Sequence, residues 1–314
     1  MKIGIVGAGA VGISCMTAIV LRGSAREIVL VNRNADRARG AVTDLQYGAL
    51  LAPAVSLQAG DYEDLRGAAI VVITAGANEQ SGGATDRDDA AGRLRLLATN
   101  AGVYRDIVPR IVAAAPEAFL LVVTDPPDVL ADIARQVAGH ERILSSGTFL
   151  DSLRFRFQLA KRLGVDARSV QAQVIGEHGT SQVFVWSSAS IAGTPIIPAL
   201  LPEGTQPGNF RSEIENEVRY ANIDIIEGTG ASRLGIGVVV ARIVEIVARD
   251  EKAVIPIGSH QPNFGVTLSL PSRLGRRGIE TVLTPPLAAD EAEALARSVE
   301  TLRRALVAAF HGVS

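Results

Sequence analysis

The feature that most constrains this chain is at its start, where the apolar stretch from Ile3 to Val6 runs directly into Gly7-Ala8-Gly9-Ala10-Val11-Gly12 and then into helical spacing over residues 11–21. A strand, a G-x-G-x-x-G turn and a helix in that order suit a dinucleotide. Gly7 makes the tight turn, Gly9 lets backbone approach a pyrophosphate, and Gly12 lets helix and strand pack closely. The helix start then offers free N–H groups and the positive end of a dipole to the phosphates.

The alternation of strand and helix continues beyond the turn. Lys2–Val6, Glu27–Val31, residues 69–74 and residues 119–123 read as buried strands, and residues 11–21, 36–45 and 92–115 as the helices between them. Such alternation predicts a doubly wound parallel sheet, a Rossmann-type α/β domain over residues 1–147. Residues 78–91, rich in Gly, Asp, Ser and Thr, read as a long mobile loop. After Gly147 the character changes, and residues 148–314 are expected to form an α+β substrate domain. It has helical spacing through Gly164, β-like stretches at 170–175 and 183–186, and an irregular connection at 195–208. Helices over 210–226 and 235–249, a late antiparallel sheet from 253–257 and 265–270, and a closing helix over 290–310 complete the pattern.

With 314 residues, a net charge of -2 and a pI near 6.1, the chain has no basic field for nucleic acid, so any anionic ligand must be met by local groups. Cys15 is the single cysteine, which excludes an intrachain disulfide and fits a reducing compartment. The apolar start is too short for a signal peptide, and no apolar run approaches the roughly 20 residues of a membrane helix, so a cytoplasmic chain with no membrane partner is expected.

A carboxylate ordinarily stands about 20 residues past the glycines and holds the adenosine ribose hydroxyls. Here the place belongs to Asn32, followed by Arg33. Two readings stay open. Without the negative charge a 2′-phosphate is not repelled and Arg33 can pair with it, which points to NADP; or Asn32 holds plain ribose hydroxyls while Arg33 lies in solvent, which leaves NAD.

Gly147-Thr148-Phe149-Leu150-Asp151-Ser152-Leu153-Arg154-Phe155-Arg156, Ile175-Gly176-Glu177-His178-Gly179 and Thr74-Ala75-Gly76-Ala77 join the glycine turn in one pattern. Nearly end to end, the chain resembles the lactate/malate dehydrogenase family. That resemblance implies hydride transfer between NAD(P) and a small L-2-hydroxy acid/2-oxo acid pair, in a homodimer or homotetramer without metal. The cofactor is implied to lie on Gly7, Gly9, Ala10, Val11, Gly12, Asn32, Arg33, Thr74, Ala75, Gly76, Asn100 and Thr124.

Removing a hydroxyl proton as hydride leaves carbon calls for a base that titrates near neutrality, and histidine in an exposed glycine-flanked turn suits it. His178 is that residue. His140, His260 and His311 read as structural. Asp151 is implied as the acid that orients His178, and Arg154, three residues on and so on the same helix face, as the anchor for the substrate carboxylate. Counting back from Asn100, Arg93 matches the loop arginine that polarises the carbonyl, but Arg87-Asp88-Asp89 resembles the sequence after that arginine in some relatives. If both arginines enter the pocket, malate with oxaloacetate is favoured; if one does, lactate or a longer monocarboxylate.

Arg156 resembles a position that helps bind a sugar bisphosphate activator in some bacterial relatives, yet Gln171 stands where those relatives add a histidine. Ser232 is expected beside the substrate side chain. Asp125 departs from the family: an asparagine usually donates to the substrate oxygen there, and an ionised aspartate can only accept. Two rivals remain, a catalytically weak or dead dinucleotide-binding relative and an NAD-dependent glycoside hydrolase. The hydrolase needs a metal and a Cys/His ligand set, against one cysteine and four histidines here.

Overall fold

The computed structural model describes residues 1–77 and 90–311, and of residues 90–94, 198 and 311 the backbone alone. Its first half runs β1 (Lys2–Val6), α1 (Ala10–Arg22), β2 (Glu27–Val31), α2 (Ala35–Ala49), β3 (Ser56–Gly60), β4 (Ile70–Ile73), α3 (Ala90–Ala114), β5 (Phe119–Val122), α4 (Pro127–Ala138) and β6 (Ile143–Ser145). The strands are parallel in the order β3-β2-β1-β4-β5-β6. Winding therefore reverses between β1 and β4, and a doubly wound sheet takes its ligand in the crevice at that switch.

Alternation along each strand sorts side chains to two faces. Ile3, Ile5, Ile28, Leu30, Val72 and Leu121 pack with Cys15, Met16 and Ile19 of α1. On the other face Val6, Val29, Val71, Ile73, Leu120 and Val122 pack with Leu97 and Tyr104 of α3 and Ile133 of α4. Cover on both faces is why these strands read as nearly continuous aliphatics.

The second half continues with α5 (Phe149–Leu163), β7 (Val170–Gln171), β8 (Val174–Ile175), β9 (Val183–Phe184), β10 (Ser190–Ile191), β11 (Thr194–Pro195), the single turn α6 (Ile196–Ala199), α7 (Pro207–Arg219), α8 (Ala221–Thr229), α9 (Leu234–Arg249), β12 (Ala253–Gln261), β13 (Val266–Gly275), β14 (Gly278–Val282) and α10 (Ala289–His311). A small core gathers on Trp186, whose ring meets Phe155 at 4.8 Å and Phe210 at 6.2 Å between centroids. The late strands do not make a sheet of their own. β12 pairs antiparallel with β6 through Gly258 and Ser145, so β12, β13 and β14 extend the parallel sheet to nine strands. Helix α9 likewise returns to the first half and lies against α1, so closely that a Cβ on Gly237 would stand 2.7 Å from the Ser14 carbonyl oxygen.

Several elements escape the sequence pattern. β3 is an edge strand with polar, exposed positions, and β6 has only three residues, so neither carries an aliphatic run. Helix α4 is hidden by its aspartates. Asp128 and Asp132, one turn apart, look like a solvated face, yet every residue from Pro127 to Ala134 is buried. The helix expected over 210–226 divides at Tyr220 into α7 and α8. The expected loop over 78–91 lies almost wholly outside the described residues. Among those residues no helix is long and apolar enough to cross a membrane.

Asp132 ties the two halves together, accepting from the Thr267 N–H at 2.6 Å, from Thr267 Oγ1 at 2.9 Å and from His260 Nδ1 at 3.0 Å. Asp132→Ala strands these buried donors and should cost about 3–5 kcal/mol, read as a lower urea midpoint. A midpoint unchanged from wild type would contradict this account of the tie.

Candidate active site

At the switch point, backbone crowding makes two of the glycines obligatory. Gly7 has φ +116°, and its N–H donates to the Val31 carbonyl at 2.8 Å. A Cβ on Gly12 would stand 1.9 Å from the Gly7 carbonyl oxygen, so α1 can start this close to β1 only with glycine there. Thr74 Oγ1 donates to the same carbonyl at 3.0 Å and joins the end of β4 to the turn. A Cβ on Gly9, by contrast, would meet no atom within 4 Å. The turn thus presents bare backbone to open space at the amino end of α1, which fits the pyrophosphate of a dinucleotide.

The cleft that opens here is lined by Gly9, Ala10, Val11, Thr74, Gly76 and Thr124 from the sheet side, by Asp125, Arg154, His178 and Ser232 from the other, and by Asn222, Ile226, Ile236 and Val239 from α8 and α9. Asn100, Ala75, Gly7 and Gly12 stand behind it. Asn100 is fully buried; its Nδ2 donates to the Asp125 carbonyl at 2.8 Å and its Oδ1 accepts from the Ala77 N–H at 2.7 Å. It therefore braces the two strand-end segments rather than facing the opening. Thr124 Oγ1 donates to the Ala75 carbonyl at 3.0 Å and does the same work.

At the end of β2, Asn32 Oδ1 accepts from the Ala8 N–H at 2.9 Å while its Nδ2 donates to the Asn34 carbonyl at 2.9 Å. Arg37 Nε donates to the Ala8 carbonyl at 2.7 Å, and Arg33 is exposed beside it. The nearby Asp36 is paired with Arg39.

Helix α5 carries Asp151 and Arg154 on one face, with Arg154 Nη1 donating to Asp151 Oδ1 at 3.1 Å. His178 arrives from the turn after β8. Its Nδ1 meets Asp151 Oδ2 at 2.6 Å, its side chain is 29% exposed, and it lines the cleft. Gly176, at φ +83°, exchanges backbone hydrogen bonds with Ser269 at 2.9 Å in both directions, and Glu177 N–H donates to Ser298 Oγ at 2.9 Å. The turn is thereby held by β13 and α10.

Burial alone would press the His178 imidazole down, but the Asp151 carboxylate, through its charge and its hydrogen bond, reverses this with help from Asp125 and Asp128, and the pKa is raised to about 9. Burial pushes Asp151 up in turn; the His178 and Arg154 interactions outweigh it and hold the carboxyl below its usual range. An ionised Asp151 can only accept, so Nδ1 keeps its hydrogen and the proton is exchanged at Nε2. In stability, the raised His178 contributes fully below its ordinary value of 6.5, and the contribution fades as pH rises through about 9. The depressed Asp151 contributes above its ordinary value of 3.8, and that contribution is lost as pH falls.

The expected loop arginines fall outside this geometry. Arg87 lies outside the described residues, and Arg93 belongs to α3 by its backbone alone. His260 bonds Asp132 and His140 accepts from the Arg142 N–H at 3.3 Å, whereas the His311 side chain is outside the described residues. Arg156 Nε donates to the Ala172 carbonyl at 2.9 Å. Among the described residues no three His, Cys, Asp or Glu side chains are grouped to hold a metal ion. Asn222, Ile226, Ile236 and Val239 were not legible as lining, because α9 reaches the cleft through packing on α1 and α8 through its connection to α9.

Fold and cleft together define a dinucleotide-dependent oxidoreductase architecture, and comparison with known proteins agrees. Residues 1–144 match the lactate/malate dehydrogenase NAD binding domain, and residues 148–313 the alpha/beta C-terminal domain of the same family. The chain belongs to the lactate/malate dehydrogenase family. It is 42% identical over 305 residues to the L-lactate dehydrogenase of Deinococcus radiodurans, covering 96% of this chain and 97% of that one. Against the L-lactate dehydrogenase of Thermus aquaticus it is 42% identical over 312 residues, with 97% and 98% covered. A solved lactate dehydrogenase from a Medee basin deep-sea metagenome library superposes with a TM-score of 0.90 at 31% identity, covering 99% of each chain.

Asp151→Asn should lower the His178 midpoint by about two pH units or more in an imidazole NMR titration, since burial would then act with little to oppose it. A midpoint left near 9 would rule out the carboxylate as its cause.

Proposed function

We propose that this chain interconverts a 2-hydroxy monocarboxylic acid of the L-lactate class with its 2-oxo acid, using NAD. One observation carries the reading: His178, Asp151 and Arg154 are linked at 2.6 and 3.1 Å on the cleft into which the bare glycine turn opens. When bound, NAD supplies the hydride acceptor in oxidation and its reduced form the donor in the reverse direction.

In reduction the protonated His178 gives its Nε2 proton to the ketone oxygen, and Asp151 keeps the ring oriented throughout. Arg154 grips the substrate carboxylate with its guanidinium and sets the carbonyl carbon toward the cofactor side. In oxidation the neutral ring takes the hydroxyl proton back. Arg154 lines the cleft together with Ser232, Ile226 and Ile236. The relatives named L-lactate dehydrogenase support a monocarboxylate over malate with oxaloacetate, with Arg93 or Arg87 as the polarising group.

NADP is a second reading for the cofactor, favoured by the uncharged Asn32 and by the exposed Arg33 and Arg37 at the end of β2. Asn32→Asp should reduce NADPH efficiency relative to NADH by about 10-fold or more. A ratio that does not move would leave Asn32 as a holder of plain ribose hydroxyls.

The reading also includes a homodimer or homotetramer in the cytoplasm, with residues 1–147 as the dinucleotide domain and 148–314 as the substrate domain. Support comes from Tyr47, Leu50 and Leu51, exposed by 74%, 85% and 96% at the end of α2, and from Cys15 being the single cysteine, buried.

A panel of 2-oxo acids with NADH and NADPH tests the whole. Wild type should reduce a small monocarboxylate best, and His178→Asn should lose about 10²–10⁴ in kcat. Equal turnover of wild type and His178→Asn on every acid would leave a catalytically dead relative instead.

A further inference from the structure

Asp128 is a buried carboxylate that the chemistry above does not use. It is the second residue of α4, yet it does not cap that helix. Its Oδ2 accepts from the backbone N–H of His178 at 2.7 Å, and its Oδ1 accepts from Ser145 Oγ at 2.5 Å. Ser145 Oγ in turn accepts from the Gly147 N–H at 3.0 Å, and the next residue, Thr148, opens α5 with its N–H on Ser269 Oγ at 3.0 Å. One carboxylate therefore joins the turn that presents His178 to the segment that starts the helix of Asp151 and Arg154.

The corner is too tight for solvent to take over. Asp128 is 1% exposed, and a Cβ on Gly258 of β12 would stand 2.9 Å from Asp128 Oδ1 and 2.7 Å from Ser145 Oγ. Burying an ion here costs several kcal/mol, so a neutral residue would serve mere packing better.

We propose that Asp128 is a positioning residue, whose carboxylate seats the His178 turn against the start of α5 and adds negative charge near the imidazole. This rests on His178 acting as the acid and base of the 2-hydroxy acid reaction. Burial pushes the Asp128 carboxyl up to about 7, opposed by the His178 N–H and Ser145 hydrogen bonds and by the charge of His178, while Glu177 adds to the rise. Asp151 and Asp125 bear on the same imidazole, and Arg154 bears on Asp151. Ionisation of Asp128 and protonation of His178 therefore favour each other, as linked charges of opposite sign must.

Reduction needs protonated His178, and losing a negative charge beside it lowers its proton affinity. In the full chain with NADH and its best 2-oxo acid, Asp128→Asn should move the alkaline limb of kcat/KM down by about 0.5–1 pH unit. It should lower kcat/KM about 3–10-fold above about pH 9 but little near pH 7, with KM changed less than about 3-fold, since Arg154 is not touched. A loss that is equal at every pH, or that appears in KM and thermal midpoint alone, would mark Asp128 as structural and overturn the proposal.

Because the variant tests folding as well, the wild type supplies a second readout. With only four histidines, selective ¹⁵N-histidine labelling isolates the His178 amide. Its amide shift should titrate near pH 7 with its acceptor, apart from the imidazole near 9. A His178 amide that exchanges with solvent as fast as an exposed N–H, and so has no buried acceptor, would overturn the proposal. If wild type reduces no 2-oxo acid at all, the functional reading itself fails; if it is active and Asp128→Asn matches it at every pH, only the role of Asp128 falls.

Discussion

Close approach of β1 to α1 is the constraint on which the rest depends. The Gly7 carbonyl lies so near Gly12 that no side chain can intervene, and this lets α1 begin immediately at the strand end. From that geometry come the bare backbone of the turn and the position of α1. Helix α9 then packs on α1 through Gly237, and it brings the far wall of the cleft with it. The site is thus an outcome of backbone packing before any charged group enters.

Within that frame the electrostatics are concentrated. Three carboxylates, Asp125, Asp128 and Asp151, surround one imidazole and favour its charged form. Among the described hydrogen bonds only that of Asp151 reaches the ring; Asp128 accepts from the backbone N–H of the same residue. A buried ion pair is weak support for stability, since desolvation offsets much of its attraction. Here the arrangement makes chemical sense instead, because it keeps a proton on Nε2 at neutral pH while Asp151 holds Nδ1.

Two departures from the family pattern meet this frame differently. Asp125 lines the cleft together with Arg154, and its backbone carbonyl is held by Asn100. Asn32 has both amide atoms engaged, one to the glycine turn and one to the start of α2. It preserves the link between β2 and the turn, and it does so without a charge. The cofactor consequence of that neutrality is a matter of what Arg33 and Arg37 do, both of them exposed.

The doubly wound sheet was legible because its buried strands must be aliphatic on both faces, and the glycine turn because sterics admit nothing larger. His178 stood out by its type and its glycine-flanked turn, and Asp151 and Arg154 through the resemblance to the family. By contrast, α4 was unreadable, since Asp128 and Asp132 look like solvent-facing residues and only their partners in β6, β13 and the His178 turn make burial tolerable. The union of β12 with β6 was unreadable for a related reason: pairing between strands more than a hundred residues apart leaves no local period in the chain. By itself, then, the sequence determined the parallel core and the turn, which derive from local sterics and periodicity, and pointed through the family resemblance to His178, Asp151 and Arg154. The joining of both halves into one nine-stranded sheet, and the distances that set the proton affinity of His178, were decided only by tertiary structure, because charge interactions and desolvation depend on neighbours that are remote along the chain.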